Sequence, residues 1–445
     1  MARQRRRKLM EQPIEVEIED LSHDGRGIAR INGKVMFVNG ALPGEKVMVK
    51  HTGGNKNFEE GITIEVLQAS IDRVEAQCKY YDVCNGCSMM HLAPEKQIDF
   101  KQNTLKQNLL KMAKLQPESW IQPLTDQSWH YRRRARLSVR WVIAKDKVLV
   151  GFREKNGRYV ADMDYCEILQ KPLDELLKPL AEMIGELRIK QHIAQIEASI
   201  ADEDVALIVR HLKPIGVEDE KIFLDFAKRN NVRIYSQSKG PKTIFEMTNK
   251  ETVSKPLYFD MPTYNIRMEF LPSDFIQVNA KMNEKMIAQT MDLLDVNADD
   301  VVLDLFCGLG NFTLPIATKV KTVVGIEGEQ SLVDRAKHNA KLNKLNNISF
   351  HVADLRRNHQ DSDWFKQDFT KVLIDPPRSG AWEVLPLIAQ TKANTLLYVS
   401  CHPASLARDT DRLVNELGYK LVKAGVMDMF PHTSHVESMA LFVKQ

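Results

Sequence analysis

From about residue 272 to its end, the chain alternates short apolar runs with amphipathic stretches of helical length. No other feature constrains the fold as strongly, because strands separated by helices form a parallel, doubly wound sheet. The predicted strands lie at 301–305, 322–326, 348–352, 372–374 and 396–399, and the predicted helices at 280–294, 329–345 and 403–417. Two closing strands, 419–427 and 438–443, fit an antiparallel hairpin at the sheet edge. We therefore expect an α/β domain that binds ligands beyond the carboxyl ends of its strands.

A glycine-containing turn, DLFCGLGNF at 304–312, follows the first of these strands. Gly308 and Gly310 supply two glycines of the dinucleotide fingerprint, but the third is missing. S-adenosylmethionine carries no phosphate, so a short glycine loop beside an acidic residue suits it better than a pyrophosphate. Glu327 closes the next strand, where its carboxylate can accept hydrogen bonds from ribose hydroxyls, and Asp354 follows the third strand, within reach of an adenine amino group. A lone glycine pair is often a plain turn, but this ordered series predicts a methyl-donor site.

Cys401 lies beyond the run 396–399 and directly before a helical pattern, and Asp375 ends the run 372–374. In one parallel sheet, the thiol and the carboxylate emerge along the same edge. A thiol at a helix N-terminus tends to have a lowered pKa and nucleophilic character. We therefore expect Cys401 to be a nucleophile, although a cysteine at a strand end is more often a small apolar residue.

A thiolate in this position fits methylation of a pyrimidine. The C5 atom of a pyrimidine is a poor nucleophile, and addition of a thiolate to C6 turns it into an enolate carbon that attacks a sulfonium methyl group. A base then removes the C5 proton so that the thiol can leave. Glu437, on the loop that enters the last strand, is the preferred base, and the alternative is that it is an ordinary solvated glutamate.

These motifs resemble the RNA uracil-C5 methyltransferase family, and within it the iron–sulfur enzymes that act on 23S rRNA. The matching segments are 275–279 (FIQVN), 304–311, 375–378 (DPPR), 400–403 (SCHP) and 435–437 (HVE). The resemblance implies a class I S-adenosylmethionine-dependent methyltransferase with Cys401 as nucleophile and Glu437 as base. It implies a donor site formed by Gln277, Phe306, Asn311, Glu327, Asp354 and Asp375. One departure is His402, because the family usually has asparagine after the nucleophile.

Residues 13–69 read as short strands separated by turns. Ile14, Val16 and Ile18 alternate with glutamates, and Asn32-Gly33 is a hairpin signal. About five such strands predict a small closed barrel of the oligonucleotide-binding type, with a ligand-free β-domain as the alternative. By resemblance this is the family's TRAM domain. The predicted division is a basic tail at 1–12, the barrel at 13–70, a central α+β domain at 71–271 and the catalytic domain at 272–445.

Four of the six cysteines form a separate group. Cys78, Cys84 and Cys87 have C-x5-C-x2-C spacing, and Cys166 is distant in sequence. Four thiolates suit an iron–sulfur cluster or a structural zinc, but zinc ribbons usually show two C-x2-C pairs and this chain has one. The resemblance favours a [4Fe–4S] cluster. Methyl transfer needs no electron, so a structural or RNA-positioning role is expected.

The segment WHYRRRAR at 129–136 interleaves aromatic and basic residues, so we expect it to contact RNA bases and phosphates, as do the tail arginines at 3, 5, 6 and 7. The target uridine must be unpaired or flipped out, because a stacked base hides C6. The net charge of +3 indicates no partner class. No apolar run approaches the ~20 residues of a membrane span, and the basic start lacks a signal-peptide core.

The expected protein is therefore a cytoplasmic enzyme without membrane contact or an obligate protein partner, which methylates C5 of a specific uridine in 23S rRNA. A tRNA uridine-C5 methyltransferase is the first alternative, although those relatives typically lack the barrel and the cysteine group. A non-catalytic RNA-binding assembly factor is the second.

Overall fold

The computed structural model describes residues 10–155, 157–248 and 255–445. Most of the predicted basic tail, including its four arginines, lies outside these residues. Within the described ranges, no helix combines the length and the apolar character needed to cross a membrane.

The first sheet is a six-stranded barrel in the order β1-β5-β6-β4-β3-β2. Its strands are β1 (Ile14–Glu17), β2 (Asp20–Leu21), β3 (Gly27–Ile31), β4 (Lys34–Asn39), β5 (Lys46–Gly54) and β6 (Phe58–Gln68). The amide of Ile18 donates to the Glu45 carbonyl, and the amide of Glu19 donates to the Ile28 carbonyl. The chain between β1 and β2 therefore bonds to both ends of the sheet and closes it. The predicted small barrel is confirmed, and β2 is the strand that the sequence did not show.

A connecting segment leads from the barrel to the central sheet. Helix α1 (Pro94–Asn108) continues as a π-helical turn (Leu109–Ala113), and the short strand β7 (Ser119–Trp120) follows. Leu105 and Leu109 are fully buried in one apolar cluster with residues of the C-terminal domain. This segment therefore packs against the C-terminal domain, although the predicted division assigned it to the central one. The predicted boundaries stay a prediction.

The central sheet is mixed, in the order β13-β12-β11-β10-β8-β9. Its strands are β8 (Arg134–Val142), β9 (Lys147–Gly151), β10 (Ile193–Ile200), β11 (Val205–His211), β12 (Arg233–Gln237) and β13 (Ile244–Glu246), with helices α2 (Leu177–Glu186) and α3 (Val217–Asn230). Apolar residues of both helices, among them Leu177, Leu180, Phe223 and Phe226, share one buried cluster with the inner faces of β10 and β11.

The C-terminal sheet has the order β18-β17-β16-β19-β20-β22-β21-β7. A hairpin, β14 (Leu257–Met261) and β15 (Ile266–Phe270), precedes it. The remaining elements are α4 (Ala280–Leu294), β16 (Val301–Leu305), α5 (Thr313–Ala317), β17 (Thr322–Glu327), α6 (Gln330–Leu342), β18 (Ile348–Val352), β19 (Lys371–Ile374), α7 (Leu385–Ala389), β20 (Thr395–Ser400), α8 (Pro403–Asn415), β21 (Tyr419–Met427) and β22 (Glu437–Lys444).

Strands β16 to β20 are parallel, as predicted, and β22 runs antiparallel to both β20 and β21. From β16 the chain runs outward through β17 to β18 and then crosses back to β19 on the other side of β16. The strand order therefore reverses between β16 and β19, which is where open α/β sheets form their ligand crevice. The predicted edge position of the closing hairpin is wrong, because β7 pairs in parallel with β21 and forms the edge. Two residues are too few to show a strand period.

Candidate active site

The turn after β16 adopts a strained conformation. Phe306, Gly308 and Gly310 all have positive φ, at 65°, 55° and 96°. A bulky residue in this region costs about 1–3 kcal/mol, and such strain is concentrated at functional sites. Any other residue at Gly310 would be strained by the φ of 96°, and its Cβ atom would lie 2.3 Å from Leu314 Cδ1, which would have to move. The turn is therefore shaped for close approach of a ligand rather than for stability alone.

Two carboxylates shape the same turn. Asp304 is fully buried; its Oδ2 accepts a hydrogen bond of 2.5 Å from Thr313 Oγ1, and its Oδ1 is buried without a protein partner. Burial raises the pKa of Asp304 to about 7. Glu327 accepts from the Gly308 amide at 3.1 Å and from the Gly328 amide at 2.7 Å. In Glu327 both carboxylate oxygens therefore accept hydrogen bonds, whereas in Asp304 one oxygen, Oδ1, has no donor.

The other predicted donor-site residues have different surroundings. Asn311 exchanges two hydrogen bonds of 2.9 Å with Asn283 of α4, which ties the loop to that helix. The backbone carbonyl of Gln277 accepts from Arg133 Nε at 2.8 Å. Asp354 lies at the carboxyl end of β18, but its carboxylate is paired with Arg356, which lowers its pKa to about 2. Contact of Gln277, Asn311 and Asp354 with a donor molecule stays a prediction.

The predicted catalytic pair meets at the neighbouring strand ends. Ser400 of β20 pairs with Ser438 of β22, so Cys401 and Glu437 are the next residues outward on these two strands. Asp375 follows β19, and its amide donates to the Leu305 carbonyl of β16 at 3.3 Å. Strand register therefore brings the thiol and two carboxylates to one edge of the sheet, although Glu437 is 62 positions from Asp375 in the chain.

Burial and mutual repulsion shift the ionisation of these groups. Burial raises the pKa of Cys401 to about 11, with further increases from the facing carboxylates of Glu437 and Asp375. Burial and the charge of Asp375 raise the pKa of Glu437 to about 8, and burial raises that of Asp375 to about 7. The predicted lowering of the Cys401 pKa is therefore wrong, because burial and two carboxylates outweigh the helix N-terminus.

His402 is the N-cap residue of α8. Its Nδ1 accepts a hydrogen bond from the Ser405 amide at 3.3 Å, as an N-cap side chain does. Asparagine, which the family usually has here, is one of the best N-cap residues. The departure therefore preserves the cap directly behind Cys401.

The four grouped cysteines line one small cavity, together with aromatic and apolar residues such as Tyr81, Phe152 and Met163. Burial and the three neighbouring thiols raise the pKa of Cys87 well above its usual value. Over the described ranges, no set of three or more histidine, cysteine, aspartate or glutamate side chains is arranged to hold a metal ion. The four cysteines line the same cavity, and their binding of a metal or a cluster stays a prediction.

Two family models match the chain. The model described as tRNA (Uracil-5-)-methyltransferase matches residues 93–445, and the TRAM domain model matches residues 10–63. The chain belongs to the tRNA (uracil-5-)-methyltransferase family. The TRAM match falls on the barrel, and the methyltransferase match begins at α1.

Curated relatives of this methyltransferase share its whole length. A protein of Vesicomyosocius okutanii named 23S rRNA (uracil(1939)-C(5))-methyltransferase is 47% identical over 99% of this chain and 100% of its own. A protein of Stenotrophomonas maltophilia with the same name is 48% identical over the full length of both. The structure titled Pyrococcus abyssi tRNA (uracil-54, C5)-methyltransferase in complex with S-adenosyl-L-homocysteine is 24% identical, covers 97% of this chain and 100% of its own, and has a TM-score of 0.74. That last likeness shows a shared fold.

The predicted RNA-contact segment of this methyltransferase lies largely at an internal contact. Tyr131 and Arg133 are buried, and Arg133 and Arg134 donate to the backbone carbonyls of Gln277 and Ser273. The prediction is therefore wrong for the buried Tyr131 and Arg133, and RNA contact by the other residues of 129–136 stays a prediction. Arg136 keeps most of its side chain exposed.

Asn283 and Lys101, which hold the donor loop and the loop before Glu437, were missed by the sequence analysis, and Arg133 was assigned to RNA although it holds the 275–279 segment. The available signal for Lys101 was its position four residues before Leu105, on what proves to be the buried face of α1.

Proposed function

We propose that this methyltransferase transfers the methyl group of S-adenosylmethionine to C5 of a specific uridine in 23S rRNA, which gives 5-methyluridine. The observation that carries the proposal is the meeting of Cys401, Asp375 and Glu437 at the sheet edge beside the glycine turn. Full-length relatives with 46–48% identity bear the name 23S rRNA (uracil(1939)-C(5))-methyltransferase. That name supports 23S rRNA as the substrate and C5 of uracil as the methylated atom.

The donor loop fits S-adenosylmethionine, which supplies an electrophilic methyl group on a positively charged sulfur. Asp304 Oδ1 is buried without a hydrogen-bond donor, and a cationic ligand would give this oxygen a positively charged partner. Glu327 retains a lone pair for a ribose hydroxyl after its three amide contacts. We assign the donor contacts to Gln277, Phe306, Asn311, Glu327, Asp354 and Asp375.

In the proposed mechanism, Cys401 is the nucleophile and Glu437 the base. The sulfur of Cys401 adds to C6 of the uracil, and C5 of the resulting enolate accepts the methyl group. The thiol first gives its proton to water, because its pKa of about 11 leaves it neutral at pH 7. Methyl transfer releases S-adenosylhomocysteine. Glu437 then removes the C5 proton, the C5–C6 double bond re-forms, and the C6–S bond breaks with its electron pair returning to the Cys401 sulfur. The raised pKa of Glu437, about 8, suits a base that works near neutral pH.

Two substitutions test this function with 23S rRNA and labelled methyl donor. Cys401→Ala should form no 5-methyluridine and no covalent protein–RNA adduct. Glu437→Gln should accumulate the adduct, because attack remains and release is blocked. Residual methylation by Cys401→Ala, or normal turnover by Glu437→Gln, would refute the assigned roles.

We further propose that Cys78, Cys84, Cys87 and Cys166 hold a [4Fe–4S] cluster. Their side chains share one largely apolar cavity, and four cysteine thiolates are the ligand set of such a cluster. The cluster would supply a structural cross-link in the central domain. Protein purified under argon should contain iron and acid-labile sulfide, and Cys166→Ser should lose both. Colourless protein that contains zinc would contradict the cluster.

The alternatives are a tRNA uridine substrate and a non-catalytic assembly role. The shared fold with the Pyrococcus abyssi tRNA enzyme is compatible with the first. Mass-spectrometric mapping of 5-methyluridine in tRNA and 23S rRNA, with and without the gene, separates all three cases. A cytoplasmic location and independence from protein partners remain part of the proposal.

A further inference from the structure

The loop between β21 and β22, residues 428–436, carries the chain to Glu437 and is called the base loop below. Met427 pairs with Glu437, so the base loop closes the hairpin directly beside the proposed base. Among its residues, Asp428, Pro431, His432 and Thr433 are buried. Contacts between this buried loop and other segments of the chain therefore determine the position of Glu437.

The base loop is held largely by residues 88–131, which precede the C-terminal domain in sequence. The His432 carbonyl accepts from the amides of Ser88 and Met89, at 2.9 and 3.0 Å. The His432 amide donates to Gln97 Oε1 at 2.9 Å, and Tyr131 donates to the Pro431 carbonyl at 3.2 Å. These contacts fix the middle of the loop.

Lys101 of α1 holds the start of the base loop. Its Nζ donates to Asp428 Oδ1 at 2.5 Å and to the Phe430 carbonyl at 2.9 Å. The Lys101 side chain is 0% exposed. Burial of an ammonium costs several kcal/mol before its partners offset the cost, and an apolar side chain of similar volume is often equally stable. Stability alone therefore does not explain a lysine here.

Lys101 also contributes to the electrostatic field at Glu437. The groups that face Glu437 are Asp375 after β19, Arg378 beyond it, Lys101 from α1, and the thiol of Cys401 after β20. Arg378 is exposed, so water and salt screen its charge, whereas the charge of Lys101 is buried. Lys101 is therefore the cation whose attraction for the Glu437 carboxylate is least screened.

We propose that Lys101 is a positioning residue for the second half of the reaction: through Asp428 and the Phe430 carbonyl it fixes the base loop, and its charge favours the ionised Glu437 that removes the C5 proton. The inference rests on the proposed function and goes beyond it, because it separates C5 deprotonation from attack by Cys401. Loss of the ammonium should raise the pKa of Glu437 above about 8 and slow deprotonation at neutral pH.

The test compares Lys101→Met with wild type on a 23S rRNA fragment that contains the target uridine. The same fragment with 5-fluorouridine traps the adduct, because fluorine cannot leave C5 as a proton does. Lys101→Met should trap this RNA at the wild-type rate. Its single-turnover methylation of the uridine fragment should fall ~10-fold at pH 7 and recover as the pH approaches 9. The matched control is Lys111→Met, which removes an exposed lysine beyond the end of the same helix.

A double variant keeps the test decisive if Lys101→Met fails to fold. Lys101→Met/Asp428→Asn removes both charges, so no unpaired buried carboxylate remains. The double variant should keep the slow, pH-rescued release. A wild-type pH profile in the folded single or double variant would overturn the inference and leave the proposed function intact. Failure of the wild-type protein to trap or methylate either fragment would overturn the proposed function itself.

Discussion

Removal of the proposed base should make the nucleophile more reactive toward a simple alkylating agent. The pKa of Cys401 is raised from its usual 9.0 to about 11, and the causes in order are burial, Glu437 and Asp375, opposed by Arg378. Above pH 8 Glu437 is mostly ionised, so Glu437→Gln removes a negative charge that faces the thiolate. With burial and Asp375 unchanged, we expect the pKa of Cys401 to fall by roughly 0.5–1 unit.

The expected gain in alkylation rate is smaller than the gain in thiolate. A fall of roughly 0.5–1 unit raises the thiolate fraction at pH 8 about three- to tenfold. Each thiolate becomes less nucleophilic as its pKa falls, with a Brønsted coefficient of ~0.4–0.5. The net increase is therefore about two- to fourfold. The same substitution abolishes turnover, so the two effects have opposite directions.

The assay is iodoacetamide labelling of the RNA-free protein between pH 7 and 10, with Cys401 quantified by peptide mass spectrometry. Glu383→Gln is the matched control, because it removes the same negative charge from an exposed glutamate near α7. Asp375→Asn should act in the same direction as Glu437→Gln. Equal or slower labelling in Glu437→Gln would refute the apposition of carboxylate and thiol. A labelling midpoint near pH 7 in the wild-type protein would show that the Cys401 pKa is lowered, as the sequence analysis expected from the helix N-terminus, and would contradict the raised value.

Three further outcomes follow from the same groups. The pKa values of Asp375 and Asp304 are about 7, so both carboxyl groups become negatively charged between pH 6 and 8. The affinity for the cationic methyl donor, measured by calorimetry, should therefore rise over this range, and Asp375→Asn should flatten the rise. A carboxyl whose pKa is raised on folding contributes stability that is fully present below its unfolded pKa and is lost as the pH rises to its folded pKa. For Glu437 these values are 4.5 and about 8, so the Tm of the free protein should fall between about pH 4.5 and 8, less so in Glu437→Gln. His402→Asn should keep the Tm because it keeps the cap on the Ser405 amide, whereas His402→Ala should cost ~1 kcal/mol in denaturant unfolding.

Much of the C-terminal domain was predictable because its strands are buried on both faces and its helices are amphipathic. The predicted 301–305, 348–352 and 419–427 strands and the 280–294 helix have the observed bounds. The strand ends then placed Asp304, Asp375 and Cys401 along one edge without any knowledge of tertiary contacts. Strand β10 and the hairpin of β14 and β15 were missed, because they lie in a region where helical and strand patterns alternate without clear turn signals.

Other features depend on contacts between distant segments, which periodicity does not encode. The segment 129–136 has the composition of an RNA-binding strand, yet Arg133 and Arg134 are used to join two parts of the chain. The raised pKa of Cys401 depends on the register of β20 and β22, which sets Glu437 opposite the thiol. A local rule about helix N-termini could not include that carboxylate.

The catalytic unit extends beyond the C-terminal sheet. The C-terminal sheet contributes the thiol and the carboxylates, but Lys101 and Gln97 of α1 and the amides of Ser88 and Met89 hold the loop before Glu437. The methyltransferase family model begins at residue 93, at the start of α1, rather than at the predicted domain boundary of 272. Ser88 follows directly after Cys87, so the segment that we propose to bind the cluster is also bonded to the base loop. The cluster segment is therefore joined by two backbone hydrogen bonds to His432 of the base loop, five residues before the proposed base, and a change in that segment can shift the loop without any electron transfer.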